Sequence, residues 1–376
     1  MNNLQWLLEN GGPAIQLRLS ALQNSIDKDT ENAVSELLEI DNVRTILNYF
    51  NAFQTQNRDT KTLEHLIHYY KENCLETFFP QVMDLGFRAG IPAFDEKMPS
   101  VAAVFKHVYR IANDQANEPI SGGERQACFS FSIMLHRYFF SFSYLFPEVV
   151  ESLDVRLNKI YNAANEKTFV IHQDESKLPK KPPIWADLHV LKDEMNPWKV
   201  TAEKPLPMWF DVWALAYYKD KCTDSETIRK INEIVAYILT SDFQKVSAEG
   251  ALLYVKEKRI YHANGLGLTL PLYETENHDT TANPYIQGNP LWFVDIMSHF
   301  ETARVSKWFY DCLNHLEQFK TEKGTYIFPK EYINKKYIDK AFLNKVNISL
   351  KGNAREQVKR ELVSTMKIME IYKRIN

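Results

Sequence analysis

The chain has 376 residues, 45% hydrophobic and 25% charged, with a net charge of -3 at pH 7. That length holds a substantial core in one large domain or two ordinary ones, and so even a charge balance offers no broad basic field, which excludes nucleic acid as an expected partner. Aromatic residues are abundant, at 22 Phe, 19 Tyr and 7 Trp, enough for either a thick helical core or a ring-lined cavity.

The opening stretch MNNLQWLLENGGPAIQ has neither the basic start nor the apolar run of a secretory signal, and a cytoplasmic location is expected. Leu4, Leu7 and Leu8 form one short helical face; Ile15, Leu19 and Leu22 form another after Pro13, a residue suited to a first helical turn. Val43, Ile46, Leu47 and Phe50 continue the helical period. So do Leu63, Leu66, Ile67 and Tyr70, with Thr62 as a cap. A helix ends near LGFRAGIP, and Val101, Val104, Phe105 and Val108 mark the next. Ser121 and Glu124 have capping-box spacing ahead of the longest aromatic run, Ala127 to Phe146. Ser residues, His136 and Arg137 interrupt that run, so it reads as a buried helix and no membrane span is expected. Pro147 opens a further helix. Residues 165–183 turn polar and proline-rich, as a loop between two halves of a single domain covering 1–376.

Beyond that loop, MWFDVWALAYY, ETIRKINEIVAYILT, LWFVDIMSHF and SKWFYDCLNHLEQF read as helices. The last helix places Val358, Leu362, Met366 and Met369 on one side. The total is about twelve helices, more than a simple bundle needs. Two places read as β structure: a hairpin in ALLYVKEKRIYHANG, and a short strand at GTYIFP. Cys74, Cys128, Cys222 and Cys312 stand apart from one another, as reduced thiols in small core positions.

Both ends of the chain carry a resemblance. WLLENGGPAIQLRL near the start, and SKWFYDCLNHLEQFKTEKGTYIFPKEYI followed by REQVKRELVSTMKIMEI, resemble the opening and close of bacterial proteins related to terpenoid cyclases and protein prenyltransferases, the α/α-toroid group. In those proteins a G-x-Y-x-F-P turn precedes a final helix with Glu-x-x-Ser-Thr. The resemblance implies an all-α fold, an α/α toroid: a closed ring of helical hairpins in two concentric layers around a cavity, here with one or two short β-hairpins. It also implies that GTYIFP, with Gly324 at the turn and Pro329 at its end, joins an outer helix to the closing helix as a latch.

The reactions of that group need motifs this sequence does not contain. Neither Asp-x-Asp-Asp nor Asp-Asp-x-x-Asp occurs, and no cysteine is spaced for the group's zinc ligands, so no metal and no cofactor are expected. The remaining candidates are polar groups among rings. Asp187 and His189 lie beside Trp185 and Trp198, as an acid/base pair or as a capped loop. Asp211 sits between Trp209 and Trp213 but on another helical face, as a general acid or as a carboxylate at a helix start. His278, Asp279, Asn283 and Tyr285 share a polar loop. His65 and His68 stand one turn apart, and Asp295 and Glu361 lie within apolar helices.

Three functions stay open. An aromatic cavity walled by Trp185, Trp209, Trp213, Trp292 and Tyr285 could bind or transform an apolar, isoprenoid-like small molecule, with rings steadying positive charge. Paired carboxylates flanking a stacked sugar would make a glycan-processing toroid. A ring without a reaction centre would be a ligand- or partner-binding module.

Overall fold

The computed structural model describes residues 3–23, 26–51, 63, 66–67, 74–113, 122–167, 169–247, 251–256, 258–273, 289–333 and 356–376, and the chain is mostly helical there. Helix α1 (Asn3–Asn10) meets α2 (Pro13–Leu22) at Gly11, where a Cβ would come within 2.5 Å of the Leu7 carbonyl oxygen and 2.6 Å of Ile15. Only glycine permits that close approach. Helix α3 (Lys28–Leu38) starts at Asp27, which forms a capping box with Thr30, and α4 (Asp41–Tyr49) follows. Helix α5 (Leu75–Leu85) ends on Gly86 at φ +90, a left-handed stop where a Cβ would meet the Arg18 backbone at 3.1 Å.

A short α6 (Pro92–Asp95) leads into α7 (Met98–Ala112), whose Val101, Val104, Phe105 and Val108 are all buried. The aromatic run forms α8 (Gly122–Ser141), and Pro147 opens α9 (Pro147–Glu166). The expected inter-half loop at 165–183 runs further. No α-helix starts again until α10 (Trp209–Lys219), so the Trp185–Trp198 stretch belongs to one long irregular segment. That segment is fixed by its own buried residues, Ile171, Val190, Leu191, Met195 and Leu206, and by bridges from His172 to Leu191 and from Val190 to Leu253. Helices α11 (Ser225–Ile238) and α12 (Ser241–Ser247) precede an antiparallel hairpin, β1 (Ala251–Lys256) and β2 (Arg259–Asn264), with Tyr254 opposite Tyr261.

Then come α13 (Pro290–Met297), α14 (Glu301–Arg304), α15 (Lys307–Glu317), α16 (Lys330–Ile333) and α17 (Glu356–Ile375). The strand expected at GTYIFP is a single bridge between Lys320 and Tyr326, with Gly324 at φ +86. Its backbone finds partners on α17 instead. Ser364 Oγ accepts from the Phe328 N–H and Thr365 Oγ1 from the Tyr326 N–H, both at 3.0 Å, while Thr325 donates to Glu361 at 2.5 Å. The G-x-Y-x-F-P turn and the Glu-x-x-Ser-Thr helix thus form one hydrogen-bonded unit. Tyr326 and Phe328 are buried there.

Helices from distant parts of the chain pack in succession: α8 on α10, α10 on α13, α13 on α17, α17 on α2, and α2 on α5. Helix α5 then returns to α8, where the Phe79 ring lies 4.6 Å from Tyr138 and 5.3 Å from Phe142. On another flank α7 packs on α9, and α9 on α11. One apolar cluster extends from Ala14 to Ile371, crossing the long irregular segment. A smaller one joins Trp6, Leu7, Ile15 and Leu19 to Leu362 and Met366, so the first and last helices bury each other's apolar faces. Among the described residues no helix is long and apolar enough to cross a membrane.

Candidate functional site

Arg137 is 0% exposed, near the C-terminal end of the aromatic helix α8. Its guanidinium carbon lies 4.3 Å from the Tyr138 ring centroid, 4.5 Å from Trp209, 4.8 Å from Phe210 and 5.1 Å from Trp213. Ring faces attract a cation, and more strongly away from water. One nitrogen, Nη2, donates to the Tyr138 hydroxyl and to Glu76 at 3.4 Å. The other two, Nε and Nη1, meet no acceptor among the described residues. A buried donor left without a partner costs on the order of 1–3 kcal/mol. Arg137 is therefore a desolvated cation with hydrogen-bonding capacity unspent.

Three of the four tryptophans expected at a ligand wall gather here. Trp209 and Trp213 project from one face of α10 because they are four residues apart, and Trp292 reaches them from α13. Ring centroids are 5.8 Å apart for Trp209–Trp213, 5.8 Å for Trp209–Trp292 and 6.1 Å for Trp213–Trp292. Trp213 Nε1 donates to Ser141 Oγ at 3.1 Å, which holds its indole against α8. Trp209 is the half-exposed member of the group. Trp198 stands edge-on to Phe210 at 5.8 Å, and its indole N–H is buried with no acceptor among the described residues.

Asp211 faces away from this cluster. It takes two hydrogen bonds from Arg156 of α9, at 3.0 and 2.9 Å, and a third from the Met208 backbone N–H at 2.9 Å. Those contacts make it a helix-start carboxylate and a buried ion-pair partner. The remaining buried charges collect where α17 meets α2 and α13. Arg18 is paired bidentately with Glu370, and Asp295 accepts from Lys367 at 2.8 Å and from Arg374. Burial pushes the Asp295 carboxyl up, but Lys367 and Arg374 outweigh it and hold the carboxyl well below the usual range. Lys367 is held above its ordinary value in return: burial opposes its charge, and Asp295 and Glu370 overcome that.

The other expected residues lie elsewhere. Asp187 and His189 are exposed; His189 faces Glu175 at 3.6 Å and stacks near His172, and does not pair with Asp187. Trp185 stacks on His262 at 5.7 Å, away from the other tryptophans. Glu361 serves the GTYIFP turn. His65, His68, His278, Asp279, Asn283 and Tyr285 lie outside the described residues. The sequence shows Arg137 only as a residue unfit for a bilayer span; its standing as the one basic side chain besides His136 in the aromatic run from Ala127 to Phe146 is the available signal for the site. Among the described residues no group of three or more His, Cys, Asp or Glu is placed to hold a metal ion. No protein-family model, curated protein or solved structure matches this chain.

Proposed function

We propose that the chain is an α/α toroid whose inner helices are α2, α5, α8, α10, α13 and α17, and that its interior binds a small molecule with an apolar, isoprenoid-like body and one anionic end. The circular order of helix contacts, with α17 lodged between α13 and α2, supports the ring. The observation that carries the binding reading is Arg137, buried among four rings with Nε and Nη1 unsatisfied. A carboxylate or phosphate oxygen would meet those donors, and the indoles of Trp209, Trp213 and Trp292 would cover the apolar body. Ligand entry requires displacement of Trp209, the least buried ring of the set, because the two free donors are closed to solvent.

The same arginine weakens the idea of rings steadying a cationic intermediate, since the cage already holds a cation that would repel one. The glycan reading is weakened by the carboxylates: Asp211, Asp295, Glu370 and Glu76 are each committed to a basic side chain. The test is tryptophan fluorescence with titration of decanoate, decyl phosphate and geranyl diphosphate against decanol. The anionic compounds are expected to bind and to raise the unfolding midpoint, with decanol at least tenfold weaker. Arg137→Met is expected to erase the difference. Equal binding of decanol and decanoate, or an unchanged preference in the variant, would refute the reading.

A further inference from the structure

Helix α10 carries its aromatic face past the tryptophans, with Tyr217 four residues beyond Trp213. Eight residues separate it from Trp209, which is roughly 12 Å along the helix axis. Just past the end of α13, His299 stands seven residues beyond Trp292, and its ring meets that of Tyr217 at 4.6 Å. The aromatic face of α10 that begins beside Arg137 therefore runs to a Tyr217–His299 pair, and a ligand lying along it would span both.

His299 is only 5% exposed. Its Nδ1–H donates to the Asp220 carboxylate at 2.7 Å, and Asp220 is at the surface, with 40% of its side chain exposed. The opposite edge of the imidazole is consequently aimed inward, and Nε2 there has no partner among the described residues. Burial, and next the positive charge of Arg374, hold the ring neutral, so Nε2 is a bare acceptor. The Tyr217 hydroxyl makes no hydrogen bond among the described residues and keeps some accessible surface although protein encloses it. One end of that face thus offers unsatisfied donors and the other an unsatisfied acceptor.

Building on the anionic-ligand reading, we infer that the bound molecule is bipolar: its anionic group lies at Arg137, and a hydroxyl at its far end donates to His299 Nε2 beside Tyr217. A terminal hydroxyl suits this pole because it gives one hydrogen to His299 and retains lone pairs for the phenol. A second carboxylate does not, because it would set an acceptor against an acceptor.

The experiment compares decanoate with ω-hydroxydecanoate on the full chain, read by tryptophan fluorescence. The hydroxy acid is expected to bind about tenfold tighter, the size of a well-made buried hydrogen bond. That gain should vanish in His299→Phe and shrink in Tyr217→Phe, whereas decanoate affinity should hold in both. Tyr217→Phe deletes a single oxygen with no hydrogen bond of its own, so it decides the matter where His299→Phe fails to fold. Equal affinities for the two acids, or a gain that is undiminished in Tyr217→Phe, would overturn the inference while leaving the anion site standing. If neither acid binds, both readings fall together.

Discussion

His136 sits one residue from Arg137 and has the opposite fate, a buried ring held neutral. Its Nε2 is 2.9 Å from Ser152 Oγ, its ring lies against Phe105 at 5.3 Å, and its pKa is held down to about 3, first by burial and then by the nearby Arg156 charge. In the unfolded chain the same imidazole takes up a proton near pH 6.5. Between those two values the unfolded state binds more protons than the folded one, so stability rises with pH across that window and drains away on acidification. The contribution approaches about 1.4 kcal/mol per pH unit. His299, also shifted downward, adds in the same direction. Urea midpoints of the natural chain and of His136→Asn, followed from about pH 4 to pH 6.5, should show a shallower slope in the variant. Identical slopes would mean that His136 is protonated in the fold. Only part of this was legible beforehand. The four-residue spacing of Trp209 and Trp213, and the displacement of Asp211 from their face, follow from helix geometry alone. Which basic residue meets Asp211, 55 positions away in Arg156, is decided by tertiary packing and leaves no local trace.

At the scale of elements, the most readable part was the closing unit. The apolar side of α17 was drawn correctly through Leu362 and Met366 because a 3.6-residue period specifies it. The partnership of GTYIFP with Ser364 and Thr365 was not derivable, because a hydroxyl facing another segment looks the same in sequence as one bonding its own helix. Ser364 does both, donating to the Arg360 carbonyl at 2.6 Å while accepting from Phe328. Replacing Ser364 by Ala together with Thr365 by Val leaves two buried N–H groups without acceptors, at roughly 1–3 kcal/mol each. Hydrogen exchange at the Tyr326 and Phe328 amides should accelerate strongly, with α8 little changed. Unaltered protection at those two amides would show that the segment is held by ring packing and that the hydroxyls are incidental. The long irregular stretch before α10 escaped the sequence reading for a related reason. Its buried residues are scattered singly, so no period announces that the chain is anchored there.

For the molecule as a whole, the charges around α17 decide how firmly the beginning and end of the chain are joined. Arg18 and Glu370 are 352 residues apart, and both are enclosed, with side-chain exposures of 6% and 15%. Breaking such a pair from one side strands a charge in a poor solvent for it, typically at about 3–5 kcal/mol, whereas replacing both partners by apolar groups is often neutral. Glu370→Leu should therefore lower the unfolding free energy by an amount in that range, and adding Arg18→Met should restore most of it. A double variant as unstable as the sum of its singles would indicate that the pair is not coupled. The apolar half of the same seam has a consequence during synthesis. Trp6, Leu7, Ile15 and Leu19 leave the ribosome long before the surface that covers them, Leu362 and Met366, has been made. Until that surface is made the nascent chain must display the sticky patch uncovered, which makes it a natural client for a holdase chaperone and makes premature termination a direct route to aggregation.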